Sequence, residues 1–163
     1  EYEQAAYLVR TYLSHLYYGA KKVFWYEMAD EPFGPNNPES FFGILRFNES
    51  LSVKPSAVAF SNMVNNYRHA IPVGKYVGQS YGFAYDNQGK NQLCLWTEKD
   101  SKEETLYLPN TKKVNVTDIF GRVQQLKVLN GKVIITIGYL PITITGFDQD
   151  DFTGLYAPRK VVK

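Results

Sequence analysis

The sequence predicts an α+β chain: a helix, a short strand and a second helix, followed by an antiparallel β-sandwich. Three observations predict it. Between residues 3 and 18 the apolar side chains recur at three- and four-residue spacing, as on an amphipathic helix. From Ser80 onward the period switches to two. Within that second half, Asn130-Gly131 sits between two β-rich runs, and Asn-Gly is the strongest short-range hairpin signal because both turn residues must take positive φ.

The first helix, residues 3–18, carries Ala5, Leu8, Val9, Tyr12, Leu13, Leu16 and Tyr17 as its stripe. Gly19 follows where a left-handed residue would end it. The run from Lys21 to Met28 is short, aromatic and β-branched, and its first part is apolar on both faces. A strand covered on both sides has that character. Residues 29–52 hold Pro32, Gly34, Pro35, Asn36, Asn37 and Pro38, so they read as loop. A second helix follows over residues 54–67. Ser52 reads as its N-cap, Pro55 fits the first turn, and Ala57, Phe60, Val64 and Tyr67 form the stripe. Pro72, Gly74 and Gly78 mark a linker. The predicted strands are 81–85, 92–98, 104–108, 113–117, 122–128, 132–137 and 142–145. The domain reading is thus residues 1–70, a linker over 71–79, a sandwich over 80–147 and a tail over 148–163.

Composition narrows the function classes. Hydrophobic residues make up 44% of the chain and charged residues 21%, a globular balance. Net charge is +2 with the signs well mixed, so the basic stripe that nucleic acid requires is lacking. The apolar runs fall far short of a membrane span. With one cysteine, Cys94, neither a disulfide framework nor a thiolate metal site is expected. His15 and His69 are too far apart to make a metal site, and no cofactor is expected. The chain opens on Glu1 and not on Met, so it reads as trimmed from a longer protein. Sequons at Asn48-Glu49-Ser50 and Asn115-Val116-Thr117 point to an extracellular or secreted parent.

One strand with two amphipathic helices cannot bury its own apolar faces. The fragment must dock on the sandwich or on further barrel. Here the residues resemble a known family. Gln4-Ala5-Ala6-Tyr7-Leu8-Val9-Arg10-Thr11-Tyr12, then Gly19, then Lys22-Val23-Phe24-Trp25-Tyr26, is similar to the final βα unit of clan A glycoside hydrolases. Phe42-Gly43-Ile44 and Lys54-Pro55-Ser56-Ala57 continue the pattern. In the sandwich, Asp118-Ile119-Phe120-Gly121 and the stretch from Pro141 to Gly146 resemble turns of the C-terminal domain found in such enzymes. The resemblance implies the C-terminal fragment of a (β/α)8 barrel, with residues 22–27 as the eighth strand, followed by the sandwich. A complete barrel needs about 250 residues, so most of it would lie outside this chain.

The same resemblance implies a parent that hydrolyses β-linked oligo- or polysaccharides with retention of configuration. Both catalytic carboxylates, at the ends of the fourth and seventh strands, would lie upstream of Glu1, leaving no catalytic residue here. Active-site residues of a barrel sit at the C-terminal ends of its strands. That selects Trp25, Tyr26, Glu27, Asp30 and Glu31 as substrate-binding residues. Trp25 would stack its ring on a pyranose, with a packed barrel-core aromatic as the competing reading. Glu27, Asp30 and Glu31 would accept hydrogen bonds from sugar hydroxyls. A retaining pair needs carboxyls roughly 5–5.5 Å apart that flank the scissile bond, and residues on one loop approach from one side only. The expected partners are a carbohydrate and the remaining barrel portion on a separate chain. Two alternatives stand beside this reading: a non-catalytic sugar-binding sandwich using Trp96, Tyr81, Phe83, Tyr85 or Tyr107, and a structural protein that docks on a partner chain.

Overall fold

The computed structural model describes residues 1–160. It is a mixed helix and antiparallel-sheet fold in three layers. The helices α1 (Tyr2–Tyr17) and α2 (Pro55–Tyr67) form the first layer. A seven-stranded sheet forms the second. Its strands are β1 (Ile71–Tyr76), β2 (Tyr81–Asn87), β3 (Lys90–Trp96), β5 (Lys113–Asp118), β6 (Val123–Lys127), β8 (Ile142–Thr145) and β9 (Tyr156–Pro158), in the order β6-β5-β8-β3-β2-β1-β9. The third layer is a two-stranded sheet of β4 (Lys102–Tyr107) and β7 (Lys132–Ile137). A short helix, α3 (Gln149–Thr153), precedes β9.

α1 buries Ala5, Leu8, Val9 and Leu13, the face its periodicity marks. It ends at Gly19, whose φ of +93° is the left-handed conformation that glycine reaches without a Cβ penalty. α2 departs from expectation. Its N-cap is Lys54 and not Ser52, and Pro55 opens it. Ser52 stays in the preceding loop, where its N–H donates to Asn48 Oδ1 at 2.9 Å. The buried stripe is Ser56, Ala59, Met63 and Tyr67, rotated from the expected one, and Val64 is exposed. Small side chains at Ser56 and Ala59 let α1 approach closely, and that advantage outweighs the larger apolar residues.

Residues 22–27 are not a β-strand. The segment is extended, and Val23, Trp25 and Glu27 are half-buried while Phe24, Tyr26 and Met28 are exposed. A strand exists only with a ladder partner, and this one has little. Its hydrogen bonds begin near its end: Ile44 and Leu45 donate to Met28 O, and Asp30 N donates back to Leu45 O at 2.9 Å.

All seven predicted strands form, within two residues at their ends. Two more were hidden. The supposed linker contains β1, paired with β2 and β9. Pro72 and Gly74 concealed it, but they sit at an irregularity in the register between Pro72 and Gly74. The supposed tail contains α3 and β9. Asn130 and Gly131 do take positive φ, at 51° and 70°. Yet the turn joins β6 to β7, which belong to different sheets, so it carries the chain across the sandwich instead of closing a two-stranded hairpin.

The central strands are buried on both faces. Ala84, Leu93, Leu95, Val114 and Ile144 meet Leu106, Val133, Ile135 and Ile137 of the small sheet. On the other face Phe83, Tyr85, Cys94 and Trp96 pack on α1 and α2. This explains why Gln92–Trp96 carries apolar side chains at both parities. The helices therefore dock on the sandwich, and polar contacts set the seating. Tyr85 OH donates to Leu13 O at 2.7 Å. Arg10 donates to Thr97 O at 2.9 Å and to Tyr139 O, with its guanidinium 4.2 Å from the Tyr139 ring centroid. Burial pushes the Cys94 thiol up to about 12, so it is an inert core side chain.

Three buried carboxylates tie loops in place, and one of them, Asp151 on α3, accepts from Asn110 N at 3.0 Å and Thr111 N at 2.7 Å. Glu104 on β4 accepts from Tyr76 OH (2.9 Å), Gln79 N (3.1 Å), Ser80 N (3.1 Å) and Ser80 Oγ (2.7 Å). Burial raises its pKa, but these bonds outweigh that and hold it below the usual carboxylate value. Asp30 forms a buried ion pair with Lys54 Nζ at 2.5 Å and accepts from Gly43 N at 3.0 Å. Gly43 is required there, because a Cβ would lie 2.1 Å from Asp30 N.

Lys54→Met leaves the Asp30 carboxylate buried without its cation. It should cost about 3–5 kcal/mol in urea unfolding, and Asp30→Asn added to it should restore part of that loss. Glu104 contributes stability above its unfolded pKa of about 4.3, lost as pH falls through the lower folded value. Glu104→Gln should cost about 1–3 kcal/mol at neutral pH and flatten the acid side of the stability–pH curve. An unchanged acid slope would show that the carboxylate is not the titrating group.

Candidate functional site

An open cleft of ≈ 930 Å³ lies where the first turns of α1 meet the end of the extended segment and the loop that follows it. Four of the five residues selected from sequence line it: Trp25, Tyr26, Asp30 and Glu31. Glu27 is not part of its wall.

Trp25 is half-buried. Its Nε1 donates to Phe42 O at 3.2 Å, and its ring packs against the core shared by the helices. It belongs to both the core and the cleft. Tyr26 is 62% exposed and meets Phe42 edge-on, with ring centroids 6.3 Å apart. Tyr26 therefore offers the freer ring face. The peptide joining Tyr26 to Glu27 is cis.

The three acids divide by environment. Asp30 lines the cleft, and its Oδ1 is held by Lys54 Nζ and Gly43 N, so it braces the loop. Glu27 has one carboxyl oxygen enclosed without a hydrogen-bond partner. Its pKa is raised, first by lost hydration and then by the neighbouring Glu31 charge. Glu31 is half-buried at the cleft and forms no ion pair among the described residues.

The sequence reading missed the opposite wall. Glu3, Gln4 and Tyr7 come from α1, and Phe41, Phe42, Arg46 and Phe47 come from the loop. Gln4 holds that wall together: its Nε2 lies 2.9–3.2 Å from the carbonyls of Phe41, Phe42 and Gly43, and its Oε1 accepts from Ser56 Oγ at 2.9 Å. The available signal was Phe41, Phe42 and Phe47, large rings inside a loop with no periodicity to bury them. Arg46 pairs with both carboxylate oxygens of Glu1, at 2.9 and 2.5 Å.

The sandwich offers no comparable platform. Trp96, Phe83 and Tyr85 are buried under the helices. Tyr81 is exposed, but it lies nearly parallel to Trp96 and donates to Glu98 at 3.1 Å. Tyr107 is exposed with Lys132 5.1 Å from its ring centroid. His15 is exposed on α1, its Nδ1 2.7 Å from Thr11 O.

Chemically, the cleft combines flat apolar rings with carboxylates and backbone carbonyls. Rings cover the C–H faces of a ligand, and the acceptors take its hydroxyls. That combination suits a polyhydroxylated molecule.

No family model matches the chain, and no curated protein matches it. Among solved structures, it is similar to a family 39 glycoside hydrolase from the gut symbiont Bacteroides cellulosilyticus WH2. The TM-score is 0.77 at 26% sequence identity, over 87% of this chain and 30% of that one. The present chain thus corresponds to less than a third of that enzyme's length. The likeness supports a relation of this chain to glycoside hydrolases.

Proposed function

We propose that this chain is the C-terminal part of a retaining glycoside hydrolase acting on β-linked oligo- or polysaccharides. It contributes one wall of the sugar site, the wall of a barrel's eighth strand, together with an accessory sandwich. The observation that carries the reading is the cleft at the end of the extended segment, walled by Trp25, Tyr26 and Glu31 between two helices. Trp25 and Tyr26 stack against the sugar ring, and Glu31 accepts from its hydroxyls.

Double displacement needs a nucleophile and an acid/base on opposite sides of the glycosidic bond, with carboxyls roughly 5–5.5 Å apart. Glu27 and Glu31 lie on one stretch of chain and approach from one side. On the resemblance to a barrel's final βα unit, the reacting pair belongs to a part of the protein outside this chain. The exposed side chains of Phe24 and Met28, which do not line the cleft, fit that reading, since further barrel strands would cover them. The sugar-binding sandwich is disfavoured because Trp96, its best ring, is buried.

In the full protein, Trp25→Ala and Tyr26→Ala should each lower kcat/KM on aryl β-glycosides by about tenfold or more. Trp96→Ala should instead lower stability by about 3–5 kcal/mol and leave the kinetics of the folded fraction close to wild type. The reverse pattern would move the sugar to the sandwich. Glu27→Gln and Glu31→Gln should retain measurable turnover. A loss of about a thousandfold or more in either would make that residue a catalytic carboxylate and overturn the placement of the pair.

A further inference from the structure

We propose that the sandwich helps to build the cleft: Tyr139, on the connection from β7 to β8, is a positioning residue that fixes the Tyr7 ring on the cleft wall. The proposal rests on the glycosidase reading and deepens it by giving the sandwich a part in the sugar site. Tyr7 projects from α1, lines the cleft and is 57% exposed. An exposed ring on a helix exchanges between rotamers unless a neighbour packs beside it. Tyr139 is that neighbour. The two rings meet edge to face, with centroids 6.2 Å apart and planes at 89°. Tyr7 thereby faces the cleft on one side and touches the sandwich on the other.

Tyr139 is itself anchored from both sides. Arg10, one turn after Tyr7, sets its guanidinium 4.2 Å from the Tyr139 ring centroid and 5.9 Å from that of Tyr7. The same guanidinium donates to Tyr139 O and, at 2.9 Å, to Thr97 O just past β3. Thr97 N donates in turn to Gly138 O at 2.9 Å, which ties the end of β3 to the residue before Tyr139. A continuous set of contacts thus runs from the central sheet through Tyr139 and Arg10 to Tyr7. Arg10 Nε and the Tyr139 hydroxyl are enclosed here without a hydrogen-bond partner among the described residues, so apolar packing alone does not account for these side chains. A sugar on Trp25 and Tyr26 meets Tyr7 on the opposite wall. A ring already held in one rotamer spares the complex the entropy of ordering it. Loss of Tyr139 is therefore felt in binding and not in the chemical step.

The test is a double-mutant cycle in the full protein, read as kcat and KM on 4-nitrophenyl β-glycosides. Tyr139→Leu keeps the apolar bulk and removes the ring edge. It should raise KM by about three- to tenfold, the worth of one aromatic pair, with kcat within about twofold of wild type. Tyr7→Ala should raise KM at least as far, and adding Tyr139→Leu to it should change nothing further. Tyr139→Phe should restore the wild-type KM. Trp96→Ala, which loosens the core without touching Tyr7, should cost stability and leave KM unchanged. An unchanged KM in Tyr139→Leu, effects of the two substitutions that simply multiply, or a Tyr139→Phe as impaired as Tyr139→Leu would each overturn the positioning role and leave the glycosidase reading intact. If the wild-type protein hydrolyses none of these glycosides, the glycosidase reading has failed, and the fluorine resonance of 3-fluorotyrosine placed at Tyr7 decides the coupling alone. That resonance should shift or broaden in Tyr139→Leu. A resonance that stays unchanged overturns the coupling.

Discussion

The two-sided burial of the central strands constrains everything else in this molecule. β2 and β3 present Ala84, Leu93 and Leu95 to one layer and Phe83, Tyr85, Cys94 and Trp96 to the other. Each large apolar side chain such as Leu93, Leu95 or Phe83 contributes about 1.5–3 kcal/mol when fully withdrawn from water, so neither face can be left uncovered. The small β4–β7 sheet covers one and the helix pair covers the other. The helices are thus part of the sandwich's core, and their seating sets the position of the cleft at their N-terminal ends.

The cleft itself depends on a short chain of polar contacts. Asp30, Lys54 and Gly43 bring residues 29–30 against 43–45, with backbone atoms so close that a side chain at Gly43 would collide. Gln4 then fastens the loop carrying Phe41 and Phe42 to α1. The aromatic wall is therefore built by loop residues that are held from below by buried charge and amide groups. Asp30, which lines the cleft, is also the brace of its loop, and Glu31, one residue on, lines the cleft without an ion pair among the described residues.

Much of the architecture was legible in the residues. The 3.6-residue stripe placed α1, the switch to a period of two placed seven strands, and Gly19 marked the helix end. Where the reading failed, the cause was non-local. β1 was hidden by Pro72 and Gly74, which become tolerable only because the register shifts beside them. β9 is three residues long and exists because β1 offers it an edge. The segment at 22–27 has strand composition and lacks a ladder, so it stays extended without becoming a strand. Of the site, the wall from Trp25 to Glu31 was readable from position, whereas Glu3, Gln4, Tyr7 and Phe41 could not be joined to it without knowing how α1 crosses the loop.

By itself, then, the sequence determined the α+β class, the type and order of most elements, and the aromatic and acidic character of the segment after the first helix. These follow from local periodicity and turn chemistry, which act between near neighbours in the chain. The tertiary structure alone decided which face of the sandwich the helices cover, that Trp96 is core while Tyr26 is exposed, and that Asp30 is ion-paired while, among the described residues, Glu31 is not. Those outcomes depend on partners far apart in sequence, such as Lys54 for Asp30 and Phe42 for Trp25, and no local pattern encodes them.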